Sequence, residues 1–269
     1  MSLRVLVSGA GGKMGREVAR AVHGADDMEL AGGVDPRFAG SDLGELAGVG
    51  TLGVKVYASL QEAFSAADAG VVVDFTTPGA VYGNVMAALE AGRRVVFGTT
   101  GLSDSELSAI DRRARELGLG VVHAPNFAIG AVLMMKFAAE AARFFESVEV
   151  IELHHDQKKD APSGTAVKTA ELIAQARRGE RRQGAEEVEL FPGARGAQVH
   201  GVRVHSLRLQ GLVAHQEVVL GLPGQTLTIR HDSTDRVSFM PGVLLAVRKV
   251  GSITGLVYGL EHLLFGDEA

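Results

Sequence analysis

Cysteine is absent from the 269 residues. That excludes disulfides, thiolate zinc sites and any reaction that passes through a cysteine thioester. Long apolar runs are missing too, and none approaches the ~20 residues that a membrane helix needs. The opening MSLRVLVSGAGG lacks the extended apolar core of a signal peptide. A soluble, cytoplasmic protein with no membrane partner is the expectation. Positive charge is scarce. Lysine and arginine number 27 against 32 aspartates and glutamates, a formal net charge of −5, so overall charge gives a nucleic-acid partner no support. There is no HExxH pattern, adjacent histidines diverge, and no metal site is expected. Internal repeats and low-complexity tracts are likewise missing.

What is present is glycine, 35 residues of it, in a chain that is 46% hydrophobic and 22% charged. This is ordinary globular composition with many tight turns, long enough for one large domain or two smaller ones. LRVLVSG (3–9) reads as a buried parallel strand, GKMGREVARAVHG (12–24) as an amphipathic helix and MELAGGVD (28–35) as a second strand. Helices over 59–67, 79–92 and 103–118 then alternate with strands over 70–76, 93–101 and 119–126. Ser103 and Glu106 have capping-box spacing. This alternation predicts an α/β fold with a doubly wound parallel sheet over 1–126. The pattern then changes. A long apolar helix (129–145), a strand (147–155) and a helix (164–179) lead into strand-like runs VHGVRVHSLRL, AHQEVVLGL and QTLTIRHDS with no helices between them. A second α+β domain over 127–235, on an open mixed or antiparallel sheet, is expected. Helical pieces over 236–269 return to the first domain, and the charged stretch 177–189 reads as a solvated loop.

VSGAGGKMGR places Gly9, Gly12 and Gly15 three residues apart between a strand and a helix. Such glycines make a tight turn, admit a pyrophosphate to the backbone N–H groups and let the helix pack close to the sheet, where its N-terminus favours phosphate. Asp35, 20 residues after Gly15, is placed to accept the ribose hydroxyls of NADH. Arg37 and Lys13 keep the 2′-phosphate of NADPH open as an alternative. FGTTG (97–101), with Gly98, Thr99 and Thr100, is either a further ligand turn or a plain turn with a helix cap.

HHDQKKDAPSGTA (154–166) concentrates proton-transferring and cationic groups. His154 and His155, adjacent at a strand end, point to opposite faces, and Glu152 shares a side with His154. Lys158 and Lys159 follow in a loop, and a helix then starts with the N–H groups of Ser163, Gly164 and Thr165 exposed to a ligand. A helix N-terminus beside lysine and histidine suits a carboxylate, and histidine adds a proton donor near neutral pH. The stretch fits a small anionic substrate that needs a proton. A solvated polar loop is the bland alternative.

VSGAGGKMGR, DFTTP, FGTTG, APNFAIG and above all ELHHDQKKDAPSGTA together resemble the 4-hydroxy-tetrahydrodipicolinate (dihydrodipicolinate) reductase family, in the same order over nearly the whole chain. The resemblance implies an N-terminal Rossmann domain, a second domain whose sheet builds a homotetramer, and NADH- or NADPH-dependent reduction of a cyclic imine dicarboxylate in the diaminopimelate route to lysine. It implies His154 as general acid, Lys158 as an aid to substrate binding and proton transfer, and His155, Ser163, Gly164 and Thr165 as substrate contacts. It implies cofactor contacts at Gly9, Gly12, Lys13, Met14, Gly15, Asp35, Arg37, Phe75, Gly98, Thr99, Thr100, Ala124, Pro125, Asn126 and Phe127. Two rivals remain at this level. Another two-domain imine or amino-acid dehydrogenase would share the glycine loop but lack the His-His…Lys…Pro-Ser-Gly-Thr element. A non-catalytic NAD(H)-sensing module would give no reason for that element.

Overall fold

The computed structural model of the chain describes residues 2–177 and 188–266. Most of the charged stretch read as a solvated loop therefore lies outside the described residues. The chain divides into two compact units. The first runs to Phe127 and resumes at Phe239, and the second is Ala128–Ser238.

In the first unit, short β-branched runs form a parallel sheet buried on both faces. Its strands are β1 (Leu3–Ser8), β2 (Met28–Val34), β3 (Val56–Tyr57), β4 (Val71–Asp74), β5 (Arg94–Phe97), β6 (Gly120–His123) and, from the far end of the chain, β12 (Gly255–Tyr258). The order is β12-β6-β5-β4-β1-β2-β3, and every pairing is parallel. The order reverses between β1 and β4, so a crevice opens beyond their carboxyl ends, the usual ligand position in such sheets. The helices are α1 (Lys13–His23), α2 (Leu43–Ala47), α3 (Leu60–Ala66), α4 (Pro78–Glu90), α5 (Asp104–Leu117), α8 (Met240–Lys249) and α9 (Glu261–Phe265). The Ser103–Glu106 capping box starts α5 as its spacing predicts. By contrast, Gly12 starts α1 with no side-chain cap.

The second unit holds α6 (Ile129–Ala142), β7 (Ser147–His154), α7 (Gly164–Ala176), β8 (Ala197–Val199), β9 (Val202–Arg208), β10 (Ala214–Leu222) and β11 (Gln225–Ser233). Its sheet order is β11-β10-β7-β9-β8. The sheet is mixed, with β7 and β9 parallel and the other pairs antiparallel. Alanines on α6 and α7 lie close against one face, where Val148, Val150, Val204, Val218 and Leu220 form the core with Ala138, Ala170 and Ile173.

Two sequence expectations need correction. VHGVRVHSLRL is two strands, because His200 and Gly201 adopt positive φ (47° and 77°) and turn the chain back on itself. The closing segment is not all helical: Gly255–Tyr258 is β12, laid along β6. Its four residues are too few to show a period. The outer sheet face of the second unit is mixed: Ile151, Leu153 and Val219 alternate with Glu149, His215 and Glu217.

Candidate active site

The first unit carries a cleft of about 600 Å³ at the strand-order reversal, lined by Gly9, Gly12, Asp35, Arg37, Phe75 and Asn84 among others. The glycine loop is as tight as its chemistry demands. Gly9 has a φ of +80°, and a Cβ on Gly15 would sit 2.1 Å from the Gly9 carbonyl oxygen. Phe75 wedges into the same place, since a Cβ on Gly9 would meet its carbonyl oxygen at 2.6 Å and one on Gly98 its ring at 2.2 Å. The Phe127 ring lies 5.8 Å from that of Phe75. The uncapped start of α1, the glycine backbone and the acid at the end of β2 fit a dinucleotide.

Asp35 is not a free acceptor. It is 4% exposed. One carboxylate oxygen accepts the Gly11 N–H (3.1 Å) and an Arg37 guanidinium N–H (3.2 Å), and the other accepts the Arg37 backbone N–H (3.0 Å). Burial pushes its pKa up, but the Arg37 bonds and the Gly11 N–H outweigh burial and hold it below the usual carboxylate range. Asp35 therefore shapes the glycine loop as well as facing the cleft. The Arg16 and Arg37 guanidinium carbons sit 5.4 and 5.5 Å from the centre of the Phe38 ring, so two cations flank this corner.

Not every expected cofactor residue lines the cleft. Lys13, Met14, Thr100 and Pro125 lie outside its lining, with Lys13, Thr100 and Pro125 exposed. Thr99, beyond the end of β5, and Ala124 and Phe127, beyond the end of β6, are buried and Asn126 is half-buried, and these too lie outside the lining. Sequence reasoning missed Asn84. Its side-chain amide donates to the fully buried Asp74 (2.8 Å), which also takes the Thr76 N–H (3.0 Å) and hydroxyl (2.7 Å). An asparagine amid the small and apolar residues of GAVYGNVMAAL was the available signal. His123, also unassigned, stacks on Phe97 at 4.2 Å, and burial pushes its pKa down.

In the second unit the expected cluster is built around Glu152. Alternation along β7 puts Glu152 and His154 on the inner face. Glu152 is fully buried, and its Oε2 meets His154 Nδ1 at 2.5 Å. A carboxylate at Nδ1 fixes the proton there and leaves Nε2 as the outward nitrogen. Arg208 grips the same carboxylate with both arms of its fork, at 2.9 and 2.8 Å. The Ser163 N–H donates to it at 3.3 Å. Burial pushes Glu152 up, and bonds from His154, Arg208 and Ser206 overcome this and bring it to about 2.

His155 is exposed and His154 half-buried, as their alternation requires. Lys158 lies in the loop after β7, with both Asp160 carboxylate oxygens 2.8 Å from its Nζ. Ser163 differs from expectation. Its N–H serves Glu152 and its hydroxyl caps α7 through the Ala166 N–H (3.3 Å), so it is a framework residue rather than an open anion donor. Gly164 and Thr165 open α7 beside it. Arg208 was missed, although Val202, Val204, Ser206 and Arg208 alternate onto the buried face, and an inward arginine requires an acid. Among the described residues no group of three or more His, Asp or Glu could hold a metal ion.

The sequence profile for the dihydrodipicolinate reductase N-terminus matches residues 3–127, and that for its C-terminus matches 130–264. A 4-hydroxy-tetrahydrodipicolinate reductase of Listeria welshimeri serovar 6b is 50% identical over 262 residues, covering 97% of this chain and 100% of its own. One from Synechocystis sp. is 51% identical over 267 residues, 97% of each chain. The solved structure of a dipicolinate-bound dihydrodipicolinate reductase from Paenisporosarcina sp. TG-14 superposes with a TM-score of 0.86 at 44% identity, over 97% of this chain and 99% of that one.

The ionisation of Glu152 yields a stability test. A folded-state pKa below the unfolded one contributes stability above the unfolded value, and that stability is lost as pH falls toward the folded pKa. From an ordinary value of 4.5 to about 2, this amounts to about 3 kcal/mol. Denaturant unfolding between about pH 6 and about pH 3 should therefore show a steeper acid loss in the parent than in Glu152→Gln. Parallel curves would show that these bonds do not set the ionisation.

Proposed function

The chain belongs to the dihydrodipicolinate reductase family, and on that premise we propose how its residues carry out the NAD(P)H-dependent reduction of 4-hydroxy-tetrahydrodipicolinate. It is an oxidoreductase of the diaminopimelate route to lysine, and near-half identity over almost the full length sets aside the dehydrogenase and sensor alternatives. We place it in the cytoplasm with its substrate. Among the described residues no helix is long and apolar enough to cross a membrane.

The glycine loop, Asp35, Arg37 and Phe75 hold the dinucleotide, with Gly98 and Phe127 backing Phe75. The reduced nicotinamide supplies the hydride. The protein's task is to bind a ring with two carboxylates, lower the energy of charge moving toward its nitrogen, and deliver one proton. His154 is the proton donor through Nε2, because Glu152 occupies Nδ1 and stabilises the ring whichever way the proton moves. Lys158 and the α7 N-terminus at Gly164 and Thr165 receive the substrate carboxylates, with Asp160 giving up Lys158 to the ligand. His155 adds an exposed contact. The observation that carries this reading is the Glu152–His154 pair set beside Lys158 and a helix start. The direct test is NADH or NADPH oxidation that depends on the product of dihydrodipicolinate synthase.

His154→Gln should lower kcat by ~10²-fold or more with little change in KM, because proton donation acts in the transition state. Lys158→Ala should worsen both parameters. Stopped-time assays of NADH absorbance check this, and parental turnover in both variants would remove these roles.

We propose that both cofactors are used. Asp35 offers the ribose hydroxyls an acceptor, and Arg37, 73% exposed in its side chain, offers a 2′-phosphate a cation. Arg37→Ala frees Asp35 and removes that cation. The KM for NADPH relative to NADH should rise about tenfold, the size of one charge-assisted hydrogen bond. An unchanged ratio would exclude Arg37 from cofactor choice.

We also propose a homotetramer. Helices α6 and α7 cover only one face of the second sheet. Ile151, Leu153 and Leu207 on the other face suit a second copy of that face, with Glu149, Arg203 and Arg230 around them. Light scattering at micromolar concentration should give a multiple of the 28.2 kDa chain mass, and a stable monomer would refute assembly.

A further inference from the structure

One side chain, outside every role assigned above, touches both halves of the proposed chemistry. Arg208 ends β9, directly opposite His154 in the parallel pairing of β7 and β9. Its two terminal nitrogens hold the Glu152 carboxylate at 2.9 and 2.8 Å. The same guanidinium donates to the Asp160 carbonyl at 2.6 Å and to the Lys158 carbonyl at 3.3 Å. The next residue, Leu209, returns its N–H to the His154 carbonyl at 3.0 Å. We infer that Arg208 is a positioning residue that fixes the His154 proton donor and the Lys158 loop in one register.

The physical need is specific. His154 stands at the end of a strand, whose ladder holds it, whereas Lys158 stands in a loop, where backbone is ordinarily free to shift. Donor and anion receptor must meet one small ring at the same time, and a displacement of about 1 Å costs about a hundredfold in rate. A planar fork with five N–H donors spans two loop carbonyls and a buried carboxylate at once, which a point charge on a flexible stem does not. Neutralising Glu152 would need only the carboxylate contacts. The contacts to the Lys158 and Asp160 carbonyls are what the positioning role adds.

The inference rests on the roles proposed for His154 and Lys158, and Arg208→Lys in the full-length chain tests it. Lysine keeps a positive charge beside the buried carboxylate but loses the fork. kcat should fall ~10- to 100-fold and the substrate KM should rise, with the Kd for NADH and the Tm near the parent's. NADH is the control because its proposed contacts all lie in the first unit. Parental kcat and KM in R208K would overturn the inference. So would a loss of NADH binding or thermal stability that tracks the loss of activity, which marks a general structural role. If R208K does not fold, Glu152→Gln with Arg208→Gln replaces it, because removing both buried charges together leaves neither stranded. A folded double variant with kcat below that of Glu152→Gln alone supports the inference, and equal kcat in the two overturns it. H154Q and K158A separate the two readings: if they are inactive while R208K is parental, only the role of Arg208 falls.

Discussion

A buried carboxylate must be solvated by the protein or not be there, and Glu152 meets that demand from three segments. His154 donates from its own strand, Arg208 from β9, and the Ser163 N–H from the start of α7, while the loop carbonyls of Lys158 and Asp160 are held by the same arginine. Each donor is fixed by having to reach one point. The local geometry follows from that convergence: the orientation of His154, the path of the lysine loop and the start of α7 all answer to one anion. Strip the charge from Glu152 and the donors lose their reason for pointing inward, so the site would loosen at three places together.

The first unit applies the opposite device, emptiness rather than charge. The close approaches at Gly9, Gly15 and Gly98 leave room for backbone, the Phe75 ring and a ligand, and for nothing else. Asp35 then joins the two devices, because the carboxylate that faces the cleft also holds the Gly11 N–H. Cleft lining and loop shape are thus inseparable at that residue.

Much of this was legible in the chain. The glycine spacing, the acid at the end of β2 and the His-His…Lys…Ser-Gly-Thr run are local patterns, so the sequence displays them side by side. Strand and helix alternation in the first unit was equally readable, because period and length agree. Arg208 was harder to read, as it lies 56 residues from Glu152 and only the register of β7 on β9 brings them together. Asp74 and Asn84 meet because α4 folds back over the end of β4. β12 escaped because a four-residue strand has no period and finds its identity only along β6. The hairpin at His200 escaped because a histidine seldom takes positive φ. The satisfied state of Asp35 is a fact about neighbours, and no linear pattern carries it.

Gly242 of α8 lies so close to Phe127 that a Cβ there would come within 2.1 Å of the Phe127 carbonyl oxygen. The chain thus leaves the nucleotide-holding unit and re-enters it at nearly the same point. Everything between is a single inserted passage, spliced in at a seam. Joining two points already in contact takes only a short linker, and closing such a loop costs little entropy. The nucleotide-holding unit is in that sense a chassis: its last strand and helices are made after the insert, yet they close onto a frame whose other strands were complete before the insert began. What is threaded through the seam carries the cluster around Glu152.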